Sequence, residues 1–87
     1  MKVRRNEKAQ RYELVDDDTV IGVADYRDEG DTVVFPHTEI TPRLQGRGFG
    51  ERLVRAALDD VRARGAKVRA VCWFVQDFLR DNPEYAD

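Results

Sequence analysis

Gln45-Gly46-Arg47-Gly48-Phe49-Gly50 places three glycines within six residues, at the point where a strand-like segment gives way to a helical one. Residues without a Cβ let the chain turn sharply and bring successive N–H groups close to a ligand. A helix that starts at such a turn adds the partial positive charge of its first turn, so the combination suits a phosphate group. A tight loop that holds nothing is the other reading, and the flanking sequence bears on the choice.

Upstream, Val33-Val34-Phe35-Pro36-His37-Thr38-Glu39-Ile40-Thr41 is rich in β-branched and aromatic residues and is closed by Pro42, as a strand ending before a loop would be. Downstream, Phe49, Leu53, Ala57 and Val61 recur every four residues with Val54 and Leu58 beside them, which predicts an amphipathic helix. Arg55 with Asp59 and Asp60 with Arg64 form i,i+4 pairs on its wet face, and Gly65 stands where a C-terminal cap belongs. The order is strand, glycine loop, helix, then a second apolar strand from Lys67 to Phe74. Two phosphate-binding motifs share that order and fail here. A Walker A loop needs Lys and Ser or Thr after its last glycine, where this chain has Glu51 and Arg52. The dinucleotide fingerprint G-x-G-x-x-G needs its third glycine one place later.

Working outward toward the N-terminus, residues Met1 to Lys8 are polar and are expected to be flexible. Gln10 to Val15 alternates as an edge strand, Asp16-Asp17-Asp18 turns, and Thr19 to Arg27 forms the next strand. The acidic triplet lacks the ligand spacing and closing Glu of a calcium loop, so turn chemistry is the reading. Glu29-Gly30-Asp31 is expected as a three-residue hairpin loop into the strand Thr32 to Thr41. The strands flanking the helix are then parallel neighbours joined by a right-handed crossover. Gln76 to Asp81 reads as a short closing helix stopped by Pro83. The fold class is α+β: three antiparallel strands, a helix, a fourth strand parallel to the third, and a short C-terminal helix, with residues 1–87 forming one domain.

Eighty-seven residues support one modest core, since a chain of this size hides only about 60 to 65 % of its unfolded surface. A net charge of −2 with basic and acidic residues interspersed argues against a nucleic-acid surface, which needs a clustered positive excess. No stretch approaches the roughly 20 apolar residues that span a bilayer. A single cysteine forms no internal disulfide and agrees with a reducing, cytoplasmic setting. No metal-ligand pattern is present, and a monomer and a homodimer are both compatible with the sequence.

Gln45, Gly48 and Gly50 match the Gln/Arg-x-x-Gly-x-Gly/Ala loop of the GNAT acetyltransferase superfamily. The ordered set His37-Thr38-Glu39-Ile40, the loop, Leu53 to Leu58, Cys72 and Asn82-Pro83-Glu84-Tyr85 resembles the small stand-alone branch of that superfamily, over roughly the last two-thirds of the chain. Ala70 and Trp73 depart from it, standing where branch members often have proline. The resemblance implies a minimal GNAT-like fold in which the strand before the loop and the strand after its helix splay apart. Acetyl-coenzyme A would lie in the gap, with Thr38 and Ile40 offering backbone groups to pantetheine. Gln45, Gly46, Arg47, Gly48, Phe49 and Gly50 would hold the pyrophosphate, and the acetyl group would point toward Cys72.

Acetyl transfer to an amine needs a neutral nucleophile, and a lysine with pKa about 10.4 is neutral about once in 2,500 molecules at pH 7, a deficit of roughly 4.6 kcal/mol. His37 and Glu39 are the titratable groups nearest the implied gap, and their i,i+2 spacing puts both on one strand face. A packed histidine and a solvated carboxylate are the alternatives. The leaving thiolate also needs stabilising. Many superfamily members use a tyrosine on the final helix, where Gln76-Asp77-Phe78-Leu79-Arg80 has none, and Tyr85 would have to fold back. Cys72 is left as proton donor or transient acetyl acceptor, against simple packing. Trp73 and Phe74 read as core rather than rim. Arg47, Arg52 and Arg80 are candidates for the coenzyme's phosphates, against plain surface charge. The activity implied is an N-acetyltransferase acting on a small amine, or on a lysine or N-terminus of a macromolecule. A non-catalytic coenzyme A or acyl-coenzyme A binding module or accessory subunit is the alternative.

Overall fold

The computed structural model describes residues 1–86. Five strands form one sheet in the order β1 (Lys2–Asn6), β2 (Arg11–Asp16), β3 (Thr19–Glu29), β4 (Thr32–Ile40) and β5 (Lys67–Ala70). The first four pair antiparallel, and β5 runs parallel to β4 after the crossover helix α1 (Phe49–Ala63). Helix α2 (Trp73–Asp81) and a 3-10 turn at Pro83–Tyr85 close the described chain. The α+β class expected from sequence is the one observed. No helix of the described residues is long and apolar enough to cross a membrane.

Three boundaries differ from expectation. The N-terminus is a full strand, paired with β2 from Lys2↔Val15 to Asn6↔Arg11. Only Val3 among its residues packs on the core, so hydrophobic alternation could not reveal it. Ionic pairing holds it instead. Glu13 on β2 is 1 % exposed and accepts from Arg4 Nε at 2.7 Å, Arg11 Nε at 2.7 Å and Asn6 Nδ2 at 3.2 Å. Burial alone would raise its carboxyl, and these three donors outweigh that, holding it near a pKa of about 2. On the opposite face Arg5 reaches Asp60 of α1 at 3.3 Å.

The β3–β4 turn is a two-residue loop, Gly30-Asp31, because Glu29 pairs directly with Thr32 and Gly30 takes the left-handed φ of 69°. The strand predicted from Lys67 to Phe74 ends at Ala70, and Trp73 and Phe74 instead open α2.

Helix α1 buries Leu53, Val54, Ala57, Leu58 and Val61 against the sheet. Each full-size apolar side chain among them contributes roughly 1.5–3 kcal/mol. It ends in a Schellman arrangement. The Ala66 N–H donates to the Val61 C=O at 3.1 Å and the Gly65 N–H to the Arg62 C=O at 2.9 Å, with Gly65 at φ 75°. Asp60 and Arg64 pair as predicted, at 3.5 Å. Arg55 turns from Asp59 to donate to Asn82 Oδ1 at 3.3 Å and to lie over the Phe78 and Tyr85 rings. The Tyr12 hydroxyl donates to Asp60 at 2.6 Å and ties β2 to α1; burial first, then that carboxylate, push its pKa up to about 12.

Candidate active site

The site begins at an irregularity in β4. Between the pairs Arg27↔Val34 and Asp25↔His37, Phe35 and Pro36 together oppose the single residue Tyr26, a β-bulge. The extra residue reverses the alternation, so Val33 and Phe35 point into the core before the bulge and Ile40 does after it. Proline has no N–H to contribute to a ladder and is at home at such a position.

At the same place β5 leaves β4. Parallel pairing runs from Thr32↔Lys67 to Phe35↔Ala70 and stops. The N–H groups of Val71 and Cys72 both donate to the Phe35 C=O, at 3.1 and 2.9 Å, and the chain turns into α2. Beyond that point β4 is laddered only to β3. The Thr41 N–H donates to Ile21 at 2.9 Å, and ladder bonds alternate along a strand. His37 and Glu39 therefore direct their main-chain groups to β3, while Thr38 and Ile40 direct theirs to the open edge. One of those groups is occupied: Gln45 Nε2 donates to the Ile40 C=O at 3.2 Å, fastening the loop to the strand end.

The loop from Gln45 lies across this opening, anchored by buried Leu44. Gly46 and Gly48 have φ of 79° and 81°, the left-handed region where a side chain would be strained. Gly48 is the N-cap of α1 and has no side chain with which to cap it, so the N–H groups of the first helical turn have no side-chain acceptor. Gly50 is a glycine for another reason, the Phe74 ring packed on it.

Loop, open edge and α2 enclose a cleft of about 570 Å³. Nine of the expected residues line it: His37, Thr38, Glu39, Ile40, Gln45, Gly46, Gly48, Phe49 and Gly50, together with Leu44, Glu51, Trp73 and Phe74. Arg47 sits between the two left-handed glycines and is not among the lining residues. Arg52 donates to the Met1 C=O at 3.4 Å, and Arg80 pairs with Asp77.

His37 and Glu39 do share a face, with His37 Nε2 3.5 Å from Glu39 Oε1 and side chains 56 % and 69 % exposed. Cys72 is buried as the N-cap of α2. Its thiol donates to Thr38 Oγ1 at 3.7 Å, so it meets the cleft only through that hydroxyl. Tyr85 does not fold back: it is buried against Phe78, with ring centroids 5.5 Å apart, and Arg62 lies over it at 5.2 Å. Tyr12 and Tyr26 are core residues, so no tyrosine reaches the cleft. Trp73, expected in the core, is 69 % exposed at the cleft rim. The sequence reading missed Glu51; its place in the first turn of α1, directly after Gly50, was the available signal.

Residues 11–87 match the family profile described as GCN5-related N-acetyl-transferase. The chain belongs to the GCN5-related N-acetyltransferase family. Its fold is that of GNAT structures. A GCN5-like putative N-acetyltransferase from Staphylococcus aureus superposes with a TM-score of 0.73 at 22 % identity, over 97 % of this chain and 82 % of that one. The ribosomal-protein-S18-alanine N-acetyltransferase of Escherichia coli gives 0.66 at 18 % identity, over 75 % of this chain and 43 % of that one. Among curated relatives, Protein NATD1 of Xenopus tropicalis is 36 % identical over 52 residues, covering 60 % of this chain and 48 % of that protein. Protein NATD1 of Homo sapiens is 38 % identical over 51 residues, covering 59 % and 45 %. The chain thus spans about half the length of the curated relatives it matches.

Proposed function

We propose that residues 1–87 form one acetyl-coenzyme A-dependent N-acetyltransferase domain that passes the acetyl group directly to an amine. The observation that carries this reading is the parting of β4 and β5 after Phe35, beside the uncapped first turn of α1. The open edge at Thr38 and Ile40 suits the amide groups of pantetheine, which bind as an added strand would. The loop of Gln45, Gly46, Arg47, Gly48, Phe49 and Gly50 suits the pyrophosphate, because main-chain amides and the helix dipole converge there. The Gln45 side chain serves by fixing the loop, and its hold on the Ile40 C=O leaves the Ile40 N–H and both Thr38 groups for pantetheine.

In the transfer, the amine nitrogen attacks the thioester carbonyl carbon, a C–N bond forms and the C–S bond breaks. Glu39, directly or through His37, takes the proton that the nitrogen sheds and releases it to solvent, to which both side chains are open. The departing sulfur needs one proton. In this scheme the Thr38 hydroxyl, which accepts from the Cys72 thiol, gives it while taking the thiol proton, and the thiolate regains a proton through the same hydroxyl from the open cleft. The single Cys72 suits a reducing, cytoplasmic compartment. No metal enters this scheme. The acceptor is a small amine or an amine on a protein, and a monomer or a homodimer would serve.

A second reading is a coenzyme A or acyl-coenzyme A binding module or accessory subunit without turnover, favoured by the lack of any tyrosine in the cleft. Calorimetric titration with acetyl-coenzyme A tests both readings, since no heat at millimolar ligand would leave the loop purely structural. Incubation with acetyl-coenzyme A and a mixed amine panel, following free thiol, separates them: thiol release that depends on amine supports the transferase.

A further inference from the structure

We propose that Trp73 is an acceptor-binding residue, whose indole together with Glu39 selects a cationic alkylamine over neutral or acidic amines. The inference rests on the transferase reading and adds a substrate class to it.

The first ground is charge. Among the described residues, Glu39 and Glu51 line the cleft and no lysine or arginine does. Glu51 stands in the first turn of α1, by the loop, whereas Glu39 is 69 % exposed on β4 and is the carboxylate that an incoming ammonium would meet. The second ground is the indole. A large apolar side chain at the rim of a cleft offers surface that a bound ligand can bury. Trp73 is 69 % exposed although it abuts Phe74, with ring centroids 5.8 Å apart at 67°. That edge-on contact with Phe74 leaves the indole much surface for a ligand.

The third ground is position. The bonds from the Val71 and Cys72 amides to Phe35, and the Cys72 contact with Thr38, bring the start of α2 beside the His37–Glu39 end of β4. Trp73 therefore directly follows the residue that contacts Thr38, which lies between His37 and Glu39, while its neighbour Phe74 packs on Gly50 of the loop. An indole face attracts an ammonium, and the ring packs a methylene stem. A lysine side chain and a free diamine both present that chemistry.

Trp73 is the only tryptophan of the chain, so its fluorescence reads the contact directly. The probes are 1,4-diaminobutane and Nα-acetyl-lysinamide, with aniline and glutamate as neutral and acidic counterparts, at matched ionic strength. We expect a saturable emission change with the two cationic amines alone. In steady-state assays Trp73→Ala should raise the KM for cationic amines roughly tenfold with kcat little changed, and Trp73→Phe should restore most of the loss. Coenzyme affinity should not move. A preference for the lysinamide assigns the stem to a protein side chain, a preference for the diamine to a free polyamine, and either supports the proposal. Emission that stays fixed at amine concentrations well above about 1 mM, the top of the usual KM range, overturns it. So does a Trp73→Ala variant that weakens acetyl-coenzyme A and leaves the amine KM alone. If acetyl-coenzyme A does not bind the wild-type protein, the transferase reading falls, while the amine titration still decides whether Trp73 meets an ammonium.

Discussion

The Phe74 ring lies against Gly50 so closely that a Cβ on residue 50 would stand 2.6 Å from its Cζ. The two residues come from different helices, and together they make the wall where the first turn of α1 faces α2. Gly50 is helical, so its backbone would accept alanine, and helix propensity alone would favour the change by up to about 1 kcal/mol. Overpacking works the other way, by typically about 1–3 kcal/mol. Gly50→Ala should therefore lower stability by about 1 kcal/mol, read from the urea midpoint, and Phe74→Leu in the same chain should recover much of it. Strictly additive effects in that double-mutant cycle would mean that the ring is not what requires the glycine.

Gly48 poses the opposite case. A Cβ there meets nothing within 4 Å, but φ is 81°, where a β-branched residue is strained. Gly48→Val should cost about 1–2 kcal/mol of stability. It should also abolish acetyl-coenzyme A binding, because the side chain projects into open space over the amides and the loop relaxes from its left-handed turn. Far-UV circular dichroism checks that the variant is folded, and calorimetry reads the affinity. Affinity that survives in a folded Gly48→Val protein removes the pyrophosphate from this loop.

The loop and α1 were legible because glycine spacing and a four-residue apolar repeat are local signals. So was the pairing of strands about them. β1 was not legible: with only Val3 facing the core, its place depends on Glu13, seven and nine residues from Asn6 and Arg4, and a pairing of charges has no period. The end of β5 was hidden for another reason. Val68, Val71, Cys72, Trp73 and Phe74 read as one apolar run, and the chain leaves the sheet at Val71 without glycine or proline to mark it. The helical spacing of Val75, Phe78 and Leu79 was the only sign that α2 starts early. The bulge at Phe35 and Pro36 was not read from the sequence, although a proline inside a strand was the available signal for it.

Glu13 should make the fold acid-sensitive. Its carboxyl is held near about 2 against a reference of 4.5, a folded value below the unfolded one. The stabilisation is therefore complete above the unfolded value, and it drains away as the pH falls from about 4.5 toward 2. At 1.36 kcal/mol per pH unit the loss is at most about 3 kcal/mol, and less because the Arg4 and Arg11 side chains stay partly in water. Urea midpoints across this range should slope for the wild type and flatten for Glu13→Gln, which should itself be less stable at pH 7. Parallel slopes for the two proteins would assign the acid loss to other carboxylates.

Cys72 acts, on the reading proposed, through the Thr38 hydroxyl rather than by touching the thioester, since its sulfur is buried behind that residue and outside the cleft lining. A proton donor at one remove makes two demands that a packing residue does not. Cys72→Ala should retain acetyl-coenzyme A affinity yet slow turnover by roughly 10²-fold, the lower end of what general acid catalysis supplies. Cys72→Ser, which keeps a hydroxyl hydrogen bond to Thr38, should recover part of the rate with an altered pH profile. Thr38→Val should show the same loss as Cys72→Ala, and the two together should lose no more than either alone, because both interrupt one relay. Rates that are unchanged across pH in Cys72→Ala would take the thiol out of the reaction and leave it as the small apolar plug between β4 and α2.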